Sequence, residues 1–84
     1  MSLIYIGKSG RKKVFITPYS EKRLKQRNLN SREVLYILAH RHGSDPIDED
    51  GRQKIRSTIG ENKKAFLTVF EDGKKIVVIT GGEA

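Results

Sequence analysis

Two short apolar runs, Leu3 to Ile6 and Val14 to Ile16, flank Gly7-Lys8-Ser9-Gly10 and a cationic stretch, the pattern of an N-terminal strand or hairpin over residues 3–17. Thr17-Pro18 then offers a helix cap followed by proline at the first helical position, where its fixed φ and missing N–H cost nothing. A first helix is expected from Pro18 to about Arg27, with Tyr19 and Leu24 as its main apolar groups, and Asn28 suits the left-handed residue that ends it. A second helix is expected over Ser31 to about Arg41. Asn30 is its cap, Glu33 reaches back to complete a capping box, and Leu29 is placed to staple against Val34. Val34, Leu35, Ile37 and Leu38 form its core stripe, and His40-Arg41-His42-Gly43 puts cations and a glycine stop at its end. Asp45-Pro46 through Asp50-Gly51 reads as a polar loop.

Beyond the loop the period changes to two. Ile55, Ser57 and Ile59 fall on one side of a strand and Lys54, Arg56 and Thr58 on the other. Ala65 to Phe70 and Lys75 to Thr80 follow, so residues 53–80 read as an antiparallel β-meander. Asp72-Gly73 predicts a two-residue type I′ turn, which sets Glu71 opposite Lys74 as an ion pair, Val69 against Ile76, Leu67 against Val78 and Phe66 against Ile79. Both faces of this sheet carry apolar groups, so Ile76 to Ile79 is expected to be an interior strand. The helix pair is expected to cover one face, and the N-terminal arm or a partner protein the other. The fold class that follows is α+β, with two helices packed on an antiparallel meander and an N-terminal strand or hairpin.

With 84 residues and 36% hydrophobic content, the chain is expected to form one domain, 1–84. There is no cysteine, which removes disulfides, thiolate zinc sites and cysteine nucleophiles. No apolar run approaches a membrane span and residues 1–6 are too short for a signal peptide, so a soluble cytoplasmic protein is expected.

Charge narrows the field further. The 17 Lys and Arg against 10 Asp and Glu give a net charge of +7, suited to polyanions. The charges are sorted: Lys8, Arg11, Lys12, Lys13, Lys22, Arg23, Lys25 and Arg27 face only Glu21 in their stretch, and Arg52, Lys54, Arg56, Lys63 and Lys64 face only Glu61. Between them lie Asp45, Asp48, Glu49 and Asp50. Arg23 and Arg27 share a helical stripe, Lys54 and Arg56 share a strand face, and Arg52 stands beside them. If helix and strand lie together, these groups converge on a phosphate-sized target. A solvated basic surface without a ligand is the plain alternative.

Other chemistries find little support. Gly7-Lys8-Ser9 lacks the upstream glycine and the following helix of a phosphate loop. His40 and His42, two apart on a helix, do not share a face, so no metal site is expected; the acidic loop lacks the spacing of a calcium loop, and no nucleophile elbow is present. No cofactor is implied.

The segment Tyr19 to Val34 resembles the opening motif of a family of small prokaryotic proteins related to the RelE and BrnT toxins, His-x-x-x-Arg-(Met/Leu)-x-x-Arg-Gly-Ile-Ser before a Glu-Val helix. Here Arg23-Leu24, Arg27, Asn28-Leu29-Asn30 and Glu33-Val34 stand at those positions, with Tyr19 in place of the histidine and Asn28 in place of the glycine. Gly51-Arg52, Lys54-Ile55-Arg56, Phe66 to Val69 and Val77 to Thr80 are similar to the family's later basic strand and apolar hairpin. The resemblance implies a RelE-like fold and a toxin-type, metal-independent endoribonuclease, or an inactive relative, held silent by an antitoxin. It implies Arg23, Arg27, Arg52 and Arg56 as stabilisers of phosphate charge, with Tyr19, His42 or Lys54 moving protons. The substrate is then RNA, free or ribosome-bound, with Arg52, Lys54, Lys22, Lys12 and Lys13 as binding groups. A non-catalytic module that binds nucleic acid or an acidic protein is the alternative.

Overall fold

The computed structural model describes residues 2–41, 43, 44 and 46–83. Within them six strands and two helices follow in the order β1 (Ile4–Ser9), β2 (Lys12–Ile16), α1 (Pro18–Gln26), α2 (Ser31–Ala39), β3 (Gly43–Ser44), β4 (Arg52–Ile59), β5 (Lys63–Glu71) and β6 (Lys75–Glu83). The fold is α+β, and the strands form one sheet in the order β1-β2-β6-β5-β4-β3.

The helix boundaries follow from their caps. Thr17 Oγ1 accepts the Ser20 backbone N–H at 3.0 Å while the Thr17 N–H donates to Ser20 Oγ at 2.8 Å, so the box that opens α1 is closed by a serine. At α2, Asn30 Oδ1 accepts from the Glu33 N–H at 2.9 Å and the Asn30 N–H donates back to Glu33 Oε1 at 3.1 Å. Asn28 is left-handed, φ 63°, as its position after α1 requires. The second helix ends at Ala39, short of the expected Arg41: His40 leaves helical geometry at φ −123°, its ring stacked on Tyr36 at 4.2 Å.

Alternation sets the two faces of the sheet. Val14, Ile16, Ile55, Ala65, Leu67, Val69, Ile76 and Val78 point to one side, where they bury themselves with Leu24, Leu29, Val34, Ile37 and Leu38 of the helical layer. Each Val, Leu or Ile side chain among them contributes about 1.5–3 kcal/mol on burial. Ser57 joins this face as a polar member, its hydroxyl donating to the His40 carbonyl at 2.7 Å.

Three expectations are corrected. The sheet is mixed, not purely antiparallel: β4, β5 and β6 form the antiparallel series, but β2 lies parallel to β6 and carries β1 at the sheet edge. The N-terminal residues therefore extend the sheet and do not cover its second face. Secondly, the β5–β6 register is displaced by two residues near the turn, with Val69 opposite Val78 and Glu71 opposite Ile76, and by three beyond a bulge between Thr68 and Val69, where Leu67 and Phe66 meet Gly81 and Gly82 in place of Val78 and Ile79. Asp72 is the cause. Its carboxylate accepts the backbone N–H groups of Lys74 and Lys75 at 2.7 and 2.9 Å while its own N–H donates to the Lys75 carbonyl at 3.0 Å, so the turn centres on Gly73-Lys74, one residue later than expected. Thirdly, Glu71 does not pair with Lys74. It lies on the helix side and receives Lys12 Nζ at 2.9 Å and Arg41 at 3.4 Å.

Candidate nucleic-acid interface

The second face of the sheet has no helix over it. Pairing registers place Tyr5 beside Phe15, Phe15 beside Val77, Val77 beside Phe70 and Phe70 beside Arg52, a row that crosses five strands. At about 4.8 Å per strand the row is about 19 Å long. Tyr5 is 53% exposed and Phe70 38%, and the Tyr5 and Phe15 rings meet edge-on at 5.7 Å. Phe70 lies against Gly51, whose φ of 80° suits glycine and where a Cβ would stand 3.0 Å from the ring. That bare backbone gives the ring its place.

Cations flank this row. Lys8, Lys13 and Lys75 are neighbours across β1, β2 and β6 on one side, and on the other Lys54 follows opposite Thr68 and Arg56 opposite Phe66. Lys54 Nζ sits 4.9 Å from the centre of the Phe66 ring. None of the strand positions on this face is acidic. The nearest run of acids, Asp48 to Asp50, belongs to the loop that enters β4, where Asp48 Oδ1 accepts the N–H groups of Asp50 and Arg52, each at 2.9 Å.

Helix α1 borders the face alongside β6. Its Ser20 and Leu24 are buried toward the core, whereas Tyr19, Arg23 and Arg27 recur every fourth residue on another side. The Arg23 guanidinium lies over the Tyr19 ring at 5.8 Å, and Arg23 Nε is buried with no hydrogen-bond partner. Arg27 crosses Gly82 so closely that a Cβ there would be 2.5 Å from its Cδ. Between α1 and the sheet runs an open groove of about 570 Å³, lined by Leu3, Thr17, Pro18, Tyr19, Arg52, Val77 and Ile79.

Of the residues singled out in the sequence, Tyr19, Arg23, Arg27, Arg52, Lys54, Arg56 and Lys13 border or occupy this face. Tyr19 and Arg52 share the groove, although β5 and β6 separate α1 from β4, so helix and basic strand are not direct neighbours. Lys12 does not join them: one residue from Lys13, it points to the opposite face and pairs with Glu71. Lys22 is exposed on α1 outside the Tyr19–Arg23–Arg27 stripe. His42 lies outside the described residues. Sequence reasoning missed the aromatic members Tyr5, Phe15, Phe66 and Phe70. Their signal was available, since Phe15, Phe66 and Phe70 each sit one residue from a buried aliphatic on their strands and Tyr5 stands between the partly buried Ile4 and Ile6.

Glu71 and Asp72 have carboxyls held below the ordinary range. For Glu71, partial burial pushes upward, but the Lys12 hydrogen bond and the charges of Arg41 and Lys12 outweigh it. For Asp72 the cause is the pair of backbone N–H donors from Lys74 and Lys75. Both groups serve structure. Among the described residues no group of three or more histidine or acidic residues is placed to hold a metal, and no helix is long and apolar enough to cross a membrane. No protein-family model, curated protein or solved structure matches the chain.

Proposed function

We propose that the protein binds single-stranded RNA on the open face of its sheet. The observation that carries this reading is the row Tyr5–Phe15–Val77–Phe70–Arg52 between two sets of cations. Exposed rings on a β-sheet offer stacking surfaces for unpaired bases, and the flanking lysines and arginines follow the phosphates. Duplex RNA buries its base faces and would leave such rings unused.

A second reading makes the same surface a RelE/BrnT-like, metal-independent endoribonuclease of a toxin–antitoxin module. The unpartnered Arg23 Nε beside Tyr19, at the groove that Arg52 also lines, favours it. In that chemistry the ribose 2′-hydroxyl attacks the adjacent phosphorus and the 5′-oxygen leaves. Arg23 and Arg52 stabilise the charge on the phosphoryl oxygens, water takes the 2′-hydroxyl proton, and the Tyr19 hydroxyl supplies a proton to the departing 5′-oxygen and regains one from water. An acidic antitoxin would compete for the same cations.

The test is to incubate purified protein with a labelled RNA of mixed sequence in EDTA at low salt, beside Phe70→Ala and Arg52→Ala. Binding without cleavage, weakened in both variants, supports the module. Cleavage to a cyclic phosphate that is lost in Arg52→Ala supports the nuclease. Wild-type protein that neither binds nor cuts RNA overturns both.

A further inference from the structure

We infer that the groove between α1 and the sheet seats one nucleobase, turned out of a strand that lies across the open face. This rests on the RNA-binding reading above. The groove has an aliphatic floor of Val77 and Ile79, with Leu3 and Pro18 also lining it, and it offers one aromatic ring, Tyr19. Tyr19 is 62% exposed, and its ring is steadied by the Arg23 guanidinium. A flat, apolar-faced group fits such a setting, and its size falls within the range of small-ligand sites.

Charge selects a base over a hydrocarbon or an apolar peptide. Arg52 lines the groove itself, Arg23 stands behind Tyr19, and no groove residue is acidic. The groove also shares Val77 and Arg52 with the aromatic row. A strand stacked on Phe15 and Phe70 therefore passes its mouth, and the phosphate beside the seated base meets Arg52.

The polar inventory predicts how the base is read. Thr17 Oγ1 is engaged with Ser20 at the helix cap, which leaves the Tyr19 hydroxyl and Arg52 as the groove's side-chain donors. Recognition then comes mainly from stacking area, and purines are preferred over pyrimidines.

The experiment is a titration of methyl-labelled protein with AMP, UMP and ribose 5-phosphate, followed at the Leu3, Val77 and Ile79 methyl signals. AMP is expected to shift all three saturably and more tightly than UMP, with ribose 5-phosphate leaving them in place. Tyr19→Ala is expected to weaken AMP by about fivefold or more while Tyr19→Phe retains it. AMP that leaves these methyls unmoved, or ribose 5-phosphate that moves them equally, overturns the seat. An RNA octamer titrated in parallel separates the two readings: an octamer that binds while AMP misses the groove removes the seat alone, and AMP in the groove with no octamer binding removes the RNA surface alone.

Discussion

Lys12 and Lys13 are adjacent in β2 and face opposite ways, which makes them a matched pair for testing where RNA lies. Lys13 is exposed between Lys8 and Lys75, whereas Lys12 Nζ is 2.9 Å from Glu71 Oε2 on the helix side. For a single strand, each phosphate neutralised contributes about −0.7 to the slope of log K against log salt. If Lys8, Lys13, Lys75, Arg52, Lys54 and Arg56 all engage, the wild-type slope is about −4. Lys13→Ala should reduce its size by about 0.7. A contact that is neutral at 1 M salt contributes the same exponent at 0.1 M, so affinity there should fall about fivefold. Lys12→Ala should leave the slope unchanged, because screening over about 10 Å at 0.1 M removes most of its influence across the sheet. Its cost should appear instead in stability, at most about 1 kcal/mol, since Glu71 keeps Arg41. Fluorescence anisotropy with a labelled RNA octamer, repeated over a series of salt concentrations, reads the binding terms, and urea denaturation reads the stability. Equal loss of slope in the two variants would refute the assignment of faces; no change in either would mean that RNA does not lie on this surface.

Three further outcomes are expected. Gly81→Ala places a Cβ 2.6 Å from Leu67 Cδ2 and 2.8 Å from the Phe66 carbonyl oxygen, so the urea midpoint should fall by the equivalent of about 1–3 kcal/mol; a midpoint equal to wild type would contradict this packing. Asn30→Ala removes the acceptor for the Glu33 N–H and should cost about 1 kcal/mol, read by thermal melting against Asn30→Asp, which keeps an acceptor. The folded carboxyl of Glu71 titrates below its unfolded value, so its stabilisation is complete above pH about 4.5 and is lost as pH falls through the lower folded value. Glu71→Gln should accordingly flatten stability against pH in that acidic window, and an unchanged curve would remove Glu71 from acid denaturation.

Local physics explains what the sequence made readable. The helix starts rest on contacts within four residues, Thr17 with Ser20 and Asn30 with Glu33, and both are formed. Period-two alternation assigned Ile55, Ser57 and Ile59 to one side of β4 and Lys54 and Arg56 to the other, needing no knowledge of the neighbouring strands. The register of β5 on β6 was different in kind. It depended on whether Asp72-Gly73 closed a two-residue turn or Asp72 captured two backbone N–H groups, alternatives equally compatible with the sequence. The parallel docking of β2 against β6 was less accessible still, because it joins residues separated by both helices and the first strands of the meander.

The aromatic row shows why the candidate site was only half visible. Alternation along β5 sets Phe66 and Phe70 on one side whatever β6 residue faces them, so the mistaken register left that side unchanged. What it lost was adjacency: only the actual pairing sets Phe70 beside Val77, and only the parallel docking sets Val77 beside Phe15. The cations show the same division. Lys12, Arg41 and Lys63 reach Glu71 or Glu33, while Lys13 and Lys54 lie on a sheet face whose strand positions include no acid. Net charge counts these groups alike, but the fold assigns the first set to structure and leaves the second on a surface of exposed rings. That separation within a chain of +7 is the physical basis for the proposal that RNA binds the face without helices.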